Sequence, residues 1–397
     1  MTMAAAIESR AAKAAAWSTA SRIAGVDIFN DLAEAETIWR SLEDRRPLST
    51  AYQRFDFLAA WQRQVGAREN VQPFIVVARD VERRPLLLLP LALRHEHGVR
   101  AAAFMGGKHA TFNMAVWDGE FAASATANDL EALISGIGAH SQADVLALQQ
   151  QPMRWRDVPN PMAALPRQAS VNDCPLMTMP PGADPAALIS NSMRRRLRGK
   201  ERKLQTLAGY RYTVASTDSE ITRLLDAFFR IKPLRMAEQK LPNVFAEAGV
   251  EDFIRGACLK AVAGGGHAID IHALECETEV IALFAGVADG NRFSMMFNTY
   301  TMSENSRHSP GLILMRNIID HYAGQGYRAL DLGIGSDEYK RLFCKGDEPI
   351  FDCFIPLTSR GRLAAAAMSS LNRAKHLVKH NPALLQMAQR LRSAFHR

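Results

Sequence analysis

What this sequence has little of narrows it first. Its 397 residues include five cysteines, Cys174, Cys258, Cys276, Cys344 and Cys353, odd in number and without a C-x-x-C pair. Such a set argues against a disulfide framework and a zinc site, and it predicts a reducing compartment. No stretch approaches the ~20 uninterrupted apolar residues of a membrane-spanning helix. The opening MTMAAAIESRAAKAAAWSTASR is interrupted by Glu8, Arg10 and Lys13 and lacks the apolar centre of a secretory signal. The expectation is a disordered leader over 1–22 and a cytoplasmic protein. Acidic residues are missing from one region only, 360–397, which carries eight Lys and Arg and no Asp or Glu. Without those eight, 40 of the 48 Lys and Arg remain against 41 Asp and Glu, so the net charge of +7 belongs to the tail. A neutral body argues against a nucleic-acid-binding core.

What is present is apolar and periodic. With 48% hydrophobic residues, a chain this long suits two domains. Pro180-Pro181-Gly182 marks a seam, which predicts a leader (1–22), two domains (23–180 and 181–357) and a basic amphipathic tail (358–397). In the first domain strands are expected at Val26–Phe29, Pro73–Ala78, Leu86–Leu93, Val99–Met105 and Val145–Leu148, with helices at Ala33–Leu42, Phe57–Val65 and Asp129–Ile137. Gly106-Gly107-Lys108-His109 reads either as a tight turn or as a ligand loop.

The second domain opens on a helix predicted from Pro185 to Leu207. It carries seven cations within ten residues, Arg194, Arg195, Arg196, Arg198, Lys200, Arg202 and Lys203, offset by Glu201 alone. The pattern fits a solvated helix face and equally a phosphate contact. Helices at Glu220–Ile231 and Val250–Ala263 flank a polar loop, 232–249, able to reach over a site. A three-strand meander follows, Ala268–Leu274, Val280–Ala288 and Phe293–Thr301. Period-two alternation puts Arg292, Ser294, Met296, Asn298 and Tyr300 on one face of its last strand. That polar face makes Asn298 and Tyr300 candidate substrate contacts, and His272 on the first strand is a candidate base.

The chain's organising stretch comes next. Ser309-Pro310-Gly311 opens a helix in which Leu312, Met315, Ile318, Ile319 and Tyr322 share a face, with Gly324 and Gly326 stopping it. Tyr327–Leu332 reads as a buried strand, and Gly333-Ile334-Gly335 turns it into a helix carrying Asp337, Glu338, Tyr339 and Lys340. A helix N-terminus approached through a glycine is an anion site, here suited to a pyrophosphate held at Ser309, Pro310, Gly311 and Leu312 with Arg307 and His308 nearby.

The order SPGLILMRNII followed by G-x-x-x-L-D-L-G-x-G-x-x-x-Y-K-x-x-F resembles the C-terminal half of the CelD-like acetyltransferases. These are tandem GNAT-fold proteins associated with bacterial cellulose and exopolysaccharide synthesis, similar in architecture to the Fem peptidyltransferases. The match is good over 190–356 and weaker over 25–180, and the usual Q/R-x-x-G-x-G/A pyrophosphate loop is missing. The resemblance implies an α/β fold of two tandem GNAT-like acyl-CoA N-acyltransferase domains built on mixed sheets. It further implies transfer from acetyl-CoA or another acyl-CoA, without a metal, to an amine or hydroxyl of a small-molecule or saccharide acceptor. By that resemblance Tyr339 is the general acid. Asp331 or Glu338 is the candidate base and Lys340 a charge stabiliser, while an Asp331–Lys340 structural ion pair is the bland alternative.

Three further features stay minor. His95-Glu96-His97 gives two metal ligands and no third. Gly333-x-Gly335 lacks the third glycine of a dinucleotide fingerprint, Glu338 standing there. In the tail, Leu371, Ala374 and Val378 form one apolar face and Leu384, Met387, Ala388, Leu391 and Phe395 another. Both fit core-packing helices, or docking on an anionic membrane surface or a protein partner. A Fem-like enzyme using aminoacyl-tRNA and a non-catalytic partner in a polysaccharide-synthesis assembly are the rival functions.

Overall fold

The computed structural model describes residues 21–335, 338–381 and 384. The expected leader (apart from Ser21 and Arg22), Asp337, and Met387, Ala388, Leu391 and Phe395 of the tail lie outside the described residues.

The first half begins with β1 (Gly25–Phe29) and α1 (Leu32–Glu43). Asp31 caps α1 by accepting from the Ala33 amide, and Ala35, Trp39 and Leu42 bury one face at helical spacing. Next come α2 (Phe55–Trp61), β2 (Gln72–Arg79), β3 (Pro85–Glu96), β4 (Val99–Phe104), α3 (Ala127–His140) and β5 (Val145–Pro152). Strands β1 to β4 are antiparallel neighbours. Helix α3 then crosses over, and β5 lies parallel to β4.

The second half contributes β6 (Cys174–Thr178), α4 (Asn191–Leu204), β7 (Arg211–Val214), α5 (Asp218–Glu238) and α6 (Val250–Leu259). It continues with β8 (Asp270–Glu275), β9 (Val280–Ala288), β10 (Arg292–Tyr300), α7 (Pro310–Gly324), β11 (Ala329–Asp331), α8 (Glu338–Phe343) and β12 (Gly346–Glu348). The last elements are β13 (Ile350–Pro356) and α9 (Ser359–His380). The plan of the first half repeats: β7 to β10 are antiparallel, α7 crosses over, and β11 lies parallel to β10.

The two sheets exchange strands across the expected seam. β6, which precedes Pro180, lies in the second sheet between β11 and β12. β13, from the far end of the chain, pairs with β5 in the first sheet. A cut at 180/181 therefore does not separate the two sheets. The reason is pairing: each sheet has an open edge beyond its parallel strand, and the hydrogen-bonding groups there are satisfied by a strand from outside the sequence block.

One apolar core runs through both halves, with a second, smaller one beneath α7 and α4. Across the junction Phe57 meets Phe253 edge to face with centroids 5.3 Å apart, a geometry worth about 1 kcal/mol beyond burial.

Three expectations change. α4 starts at Asn191, capped by Ser190, after a separate turn at Pro185–Leu188. α5 runs through Pro233 to Glu238, so Lys232 is helical rather than in a loop. In α9 the buried positions are Gly361, Ala365 and Asn372, whereas Leu371 is 57% exposed. A polar residue takes the inner face because Asn372 donates to the buried Asp352 carboxylate. The first turns of the expected tail are thus part of the first half.

Candidate active site

The site begins where two parallel strands part. β10 and β11 pair only from Arg292↔Ala329 to Ser294↔Asp331. Beyond Ser294, β10 bulges: Met295 faces Gly286 and Phe297 faces Ala285, leaving Met296 as the extra residue. A bulge shifts the alternation by one, so the expected polar face does not exist as a unit. Phe293 and Met295 pack into the smaller core while Phe297 packs into the larger. Arg292 and Ser294 reach Asp331, but Asn298 turns its amide toward Met295 and Tyr300 joins the smaller core.

The opening leads into a cleft of about 360 Å³ between the halves. The second half supplies Met295 to Asn298, Leu332 to Ile334, Lys232, and Tyr339 and Lys340 of α8. The first half supplies Lys108, His109 and Thr111. The loop that carries them depends on Gly106, whose φ of +90° suits glycine and where a Cβ would lie 2.9 Å from the Ala110 side chain. Lys108 is tied across the junction to Glu247.

His109 is oriented by Trp61, whose Nε1–H donates to Nδ1 at 3.1 Å. Indole only donates, so Nδ1 is unprotonated and the neutral ring carries its proton on Nε2. Burial, reinforced by the Lys108 charge, pushes the His109 pKa down. Lys232 donates to the Asn298 carbonyl at 2.9 Å and lies 5.6 Å from the Phe245 ring centroid. Burial, with Arg235 adding to it, lowers its pKa. Lys340 is buried and donates to the carbonyls of Gly333 (3.2 Å) and Ile334 (2.9 Å), fixing the turn that leads into α8.

Several candidates fall elsewhere. Asp331 is fully buried and its acceptor capacity is taken by Arg292 Nε (2.7 Å), Ser294 Oγ (2.5 Å) and the Gly333 amide (3.0 Å). It is a structural anion rather than a base, and its ion pair is with Arg292. Glu338 is exposed and does not line the cleft. His272 is enclosed on the opposite face of the sheet, between the Tyr212 hydroxyl (2.8 Å) and the Tyr322 hydroxyl (2.9 Å). Burial, with His321 adding to it, pushes its pKa down to about 3, so the ring is neutral and structural. Tyr300 lies under the Arg235 guanidinium, 3.4 Å from its centroid, outside the cleft.

At the mouth of α7 the helix begins at Pro310 as expected, but Ser309 does not cap it through its side chain. Ser309 is left-handed (φ 55°, ψ 51°), its carbonyl accepts from Leu312 and Ile313, and its Oγ accepts from Lys200 Nζ at 2.6 Å. The Gly311 amide has no backbone acceptor among the described residues. Arg307 and His308 stand just upstream, Arg307 largely exposed and 3.6 Å from Glu304. On α4, Arg194 and Glu201 are engaged with Asp320 and Arg316, whereas Arg195, Arg196, Arg198, Arg202 and Lys203 are exposed. The helix mouth and the cleft are two ends of one strand: Met296 and Tyr300 lie four residues, about 13 Å, apart, and Tyr300 touches the space beside Gly311.

Sequence reasoning offered Gly106-Gly107-Lys108-His109 as one reading of a ligand loop and put Lys232 in a loop able to reach over a site, but it missed Trp61 as the orienter of His109. The paired glycines before Lys108 were the one local signal. No group of His, Cys, Asp and Glu able to hold a metal occurs among the described residues.

Residues 191–341 match the family described as the acetyltransferase (GNAT) domain. None of the curated proteins matches the chain. Among solved structures, FemX matches with TM-score 0.52 at 8% identity, over 85% of this chain and 100% of FemX. The C-terminal domain of a putative lysylphosphatidylglycerol synthetase from Agrobacterium fabrum matches with TM-score 0.50 at 13% identity, over 87% of this chain and 97% of that one. A conserved protein of unknown function from Bacteroides thetaiotaomicron gives TM-score 0.50 at 13% identity, over 83% and 99%. At these identities the likeness is one of fold. The segment 191–341 is thus similar to a GNAT acetyltransferase domain, within a mixed α/β architecture of tandem GNAT-like fold.

Proposed function

We propose that the protein transfers an acyl group from acyl-CoA to an amine or hydroxyl acceptor that enters between the halves. The observation that carries this reading is the parting of β10 and β11 at Ser294 and Asp331, which opens a slot beside Tyr339 inside the matched GNAT segment. The donor's phosphates lie at the α7 mouth, met by the Gly311 amide, the helix dipole and Lys200. The thioester lies at the bulge around Met296. An amine acceptor enters neutral, its nitrogen forms the new C–N bond, and collapse of the tetrahedral intermediate breaks C–S. Tyr339 gives its hydroxyl proton to the departing sulfur and is reprotonated by the proton the nitrogen sheds, so no other base is needed.

Calorimetric titration of acetyl-CoA and longer acyl-CoAs tests this, repeated on Gly311→Glu, which puts a carboxylate where the phosphates belong. Micromolar binding that the variant loses is the expected result. Absence of binding by every acyl-CoA defeats the reading.

A second reading is aminoacyl transfer from tRNA, supported by the five exposed cations on α4 and by the fold likeness to FemX. A salt-sensitive tRNA shift that Arg195→Glu/Arg198→Glu abolishes would favour it. The cellulose or exopolysaccharide setting, with a saccharide acceptor, rests on the resemblance of the Ser309-Pro310-Gly311 and Tyr339-Lys340 elements. No helix among the described residues is long and apolar enough to cross a membrane. Contact with an anionic surface through the basic face of α9 belongs to the same proposal.

A further inference from the structure

The cleft's lining is basic, three lysines and a neutral histidine. Lys108, His109, Lys232 and Lys340 line it, and no Asp or Glu does so among the described residues. Two of these four are already engaged: Lys108 is tied to Glu247, and Lys340 fixes the Gly333–Ile334 turn. Lys232 is different. Its ammonium holds one backbone carbonyl and has no carboxylate within ion-pair distance among the described residues. Half-buried beside the Phe245 ring and holding one carbonyl, this ammonium lacks the counter-charge that an anion would supply. His109 adds a neutral donor, since Trp61 occupies Nδ1 and leaves the proton on Nε2, which has no partner among the described residues. Thr111, Asn298 and Tyr339 add neutral polar groups, and Phe245, Val250, Phe253, Ile254 and Met296 form an apolar wall.

We infer that this cleft binds the carboxylate of one reactant, between the Lys232 ammonium and the His109 Nε2–H, with an apolar body seated on Phe253 and Ile254. The Lys232 ammonium and the neutral His109 donor together suit the two oxygens of one carboxylate. A cavity of about 360 Å³ holds a molecule the size of an apolar amino acid. The inference rests on the acyl-transfer reading and names its reactant class: an amino-acid-like amine as acceptor or, from the other side, an acyl group ending in a carboxylate. The site so defined draws on both halves, because His109 and its orienting Trp61 come from the first.

The test uses the full chain and a signal independent of turnover, the 15N-histidine resonances of His109, assigned through His109→Gln. L-Leucine and L-phenylalanine are titrated beside isoamylamine and phenethylamine, which lack the carboxylate, with and without saturating acetyl-CoA. The expected result is at least tenfold tighter binding of the two acids, with the His109 signal moving while Nε2 stays protonated. Lys232→Met should bring acids and amines to parity and leave acetyl-CoA affinity unchanged. In a separate arm, succinyl-CoA preferred over acetyl-CoA in a Lys232-dependent manner assigns the same site to the acyl group. Equal response to acids and amines, together with no succinyl preference, overturns the inference. If acetyl-CoA fails to bind while the acids still move His109, the acyl-transfer reading falls and the carboxylate site stands.

Discussion

The Arg292 guanidinium pairs with Asp331 at 2.7 Å inside the second sheet while lying 4.5 Å from the Phe112 ring centroid and 4.6 Å from that of Trp155, both in the first half. Its Nη1 also holds Glu348 at 2.6 Å, so one side chain joins three strands and both halves. Asp331→Asn should therefore cost stability far more than chemistry. The variant leaves Arg292 with Glu348 alone and takes the charged acceptor from Ser294 and the Gly333 amide, at about 2 kcal/mol. Urea unfolding of the variant checks this. A variant as stable as the parent but devoid of transferase activity would restore Asp331 as a base.

Tyr339→Phe separates binding from turnover. The phenol lines the cleft, and its loss should lower kcat by about 100-fold while acyl-CoA affinity stays the same. Thiol release from acyl-CoA reads the rate, and unchanged kcat removes Tyr339 from the acid role.

Lys200→Met examines the donor's phosphate end. The Lys200 ammonium sits on Ser309 Oγ at 2.6 Å, at the mouth of α7. Loss of a charge-assisted contact of this kind should weaken acyl-CoA binding about tenfold. Binding by dephospho-CoA and CoA in parallel tells whether the pyrophosphate or the 3′-phosphate is the one served.

His272 gives a pH dependence. Its folded pKa, about 3, lies below the ordinary histidine value, so the unfolded chain binds the proton more readily. Stability from this group is fully present above about pH 6.5 and is lost as pH falls from there toward 3, by up to about 1.4 kcal/mol per pH unit. His272→Gln, which can still bond Tyr212 and Tyr322, should show a shallower loss between pH 6 and 4 in denaturant titrations. Parallel curves for the two proteins contradict the assignment.

Gly361→Ala probes whether α9 belongs to the body. A Cβ there would lie 1.7 Å from the Asp144 carbonyl oxygen, which is backbone and cannot step aside cheaply. A loss of about 1–3 kcal/mol is expected. A neutral substitution would mean that α9 is a detachable tail.

The sequence was most legible where its signals were local. The helix at Pro310–Gly324, the meander and the seven-cation helix could be placed from caps, glycines and alternation. Legibility failed where a distant partner decides. Nothing around His272 announces Tyr212 and Tyr322, which arrive from other elements to make it structural. Arg292-Phe293-Ser294-Met295-Met296-Phe297 reads as an unbroken alternation, yet the β9 pairing inserts a bulge at Met296 that reverses every residue after it. His109 was visible only as the end of a glycine pair, because its role comes from Trp61 and from the second half closing over it.

The exchange of β6 and β13 has a consequence for synthesis. The first sheet lacks an inner strand until residue 356 has left the ribosome, since Gln168–Ala169 reaches that sheet only through β13. The usual order, in which an N-terminal unit folds while the rest is still being made, is closed to this chain. Both sheets are complete only once the chain has been made through residue 356, and their unpaired edges stay open to misassociation or chaperones in the meantime.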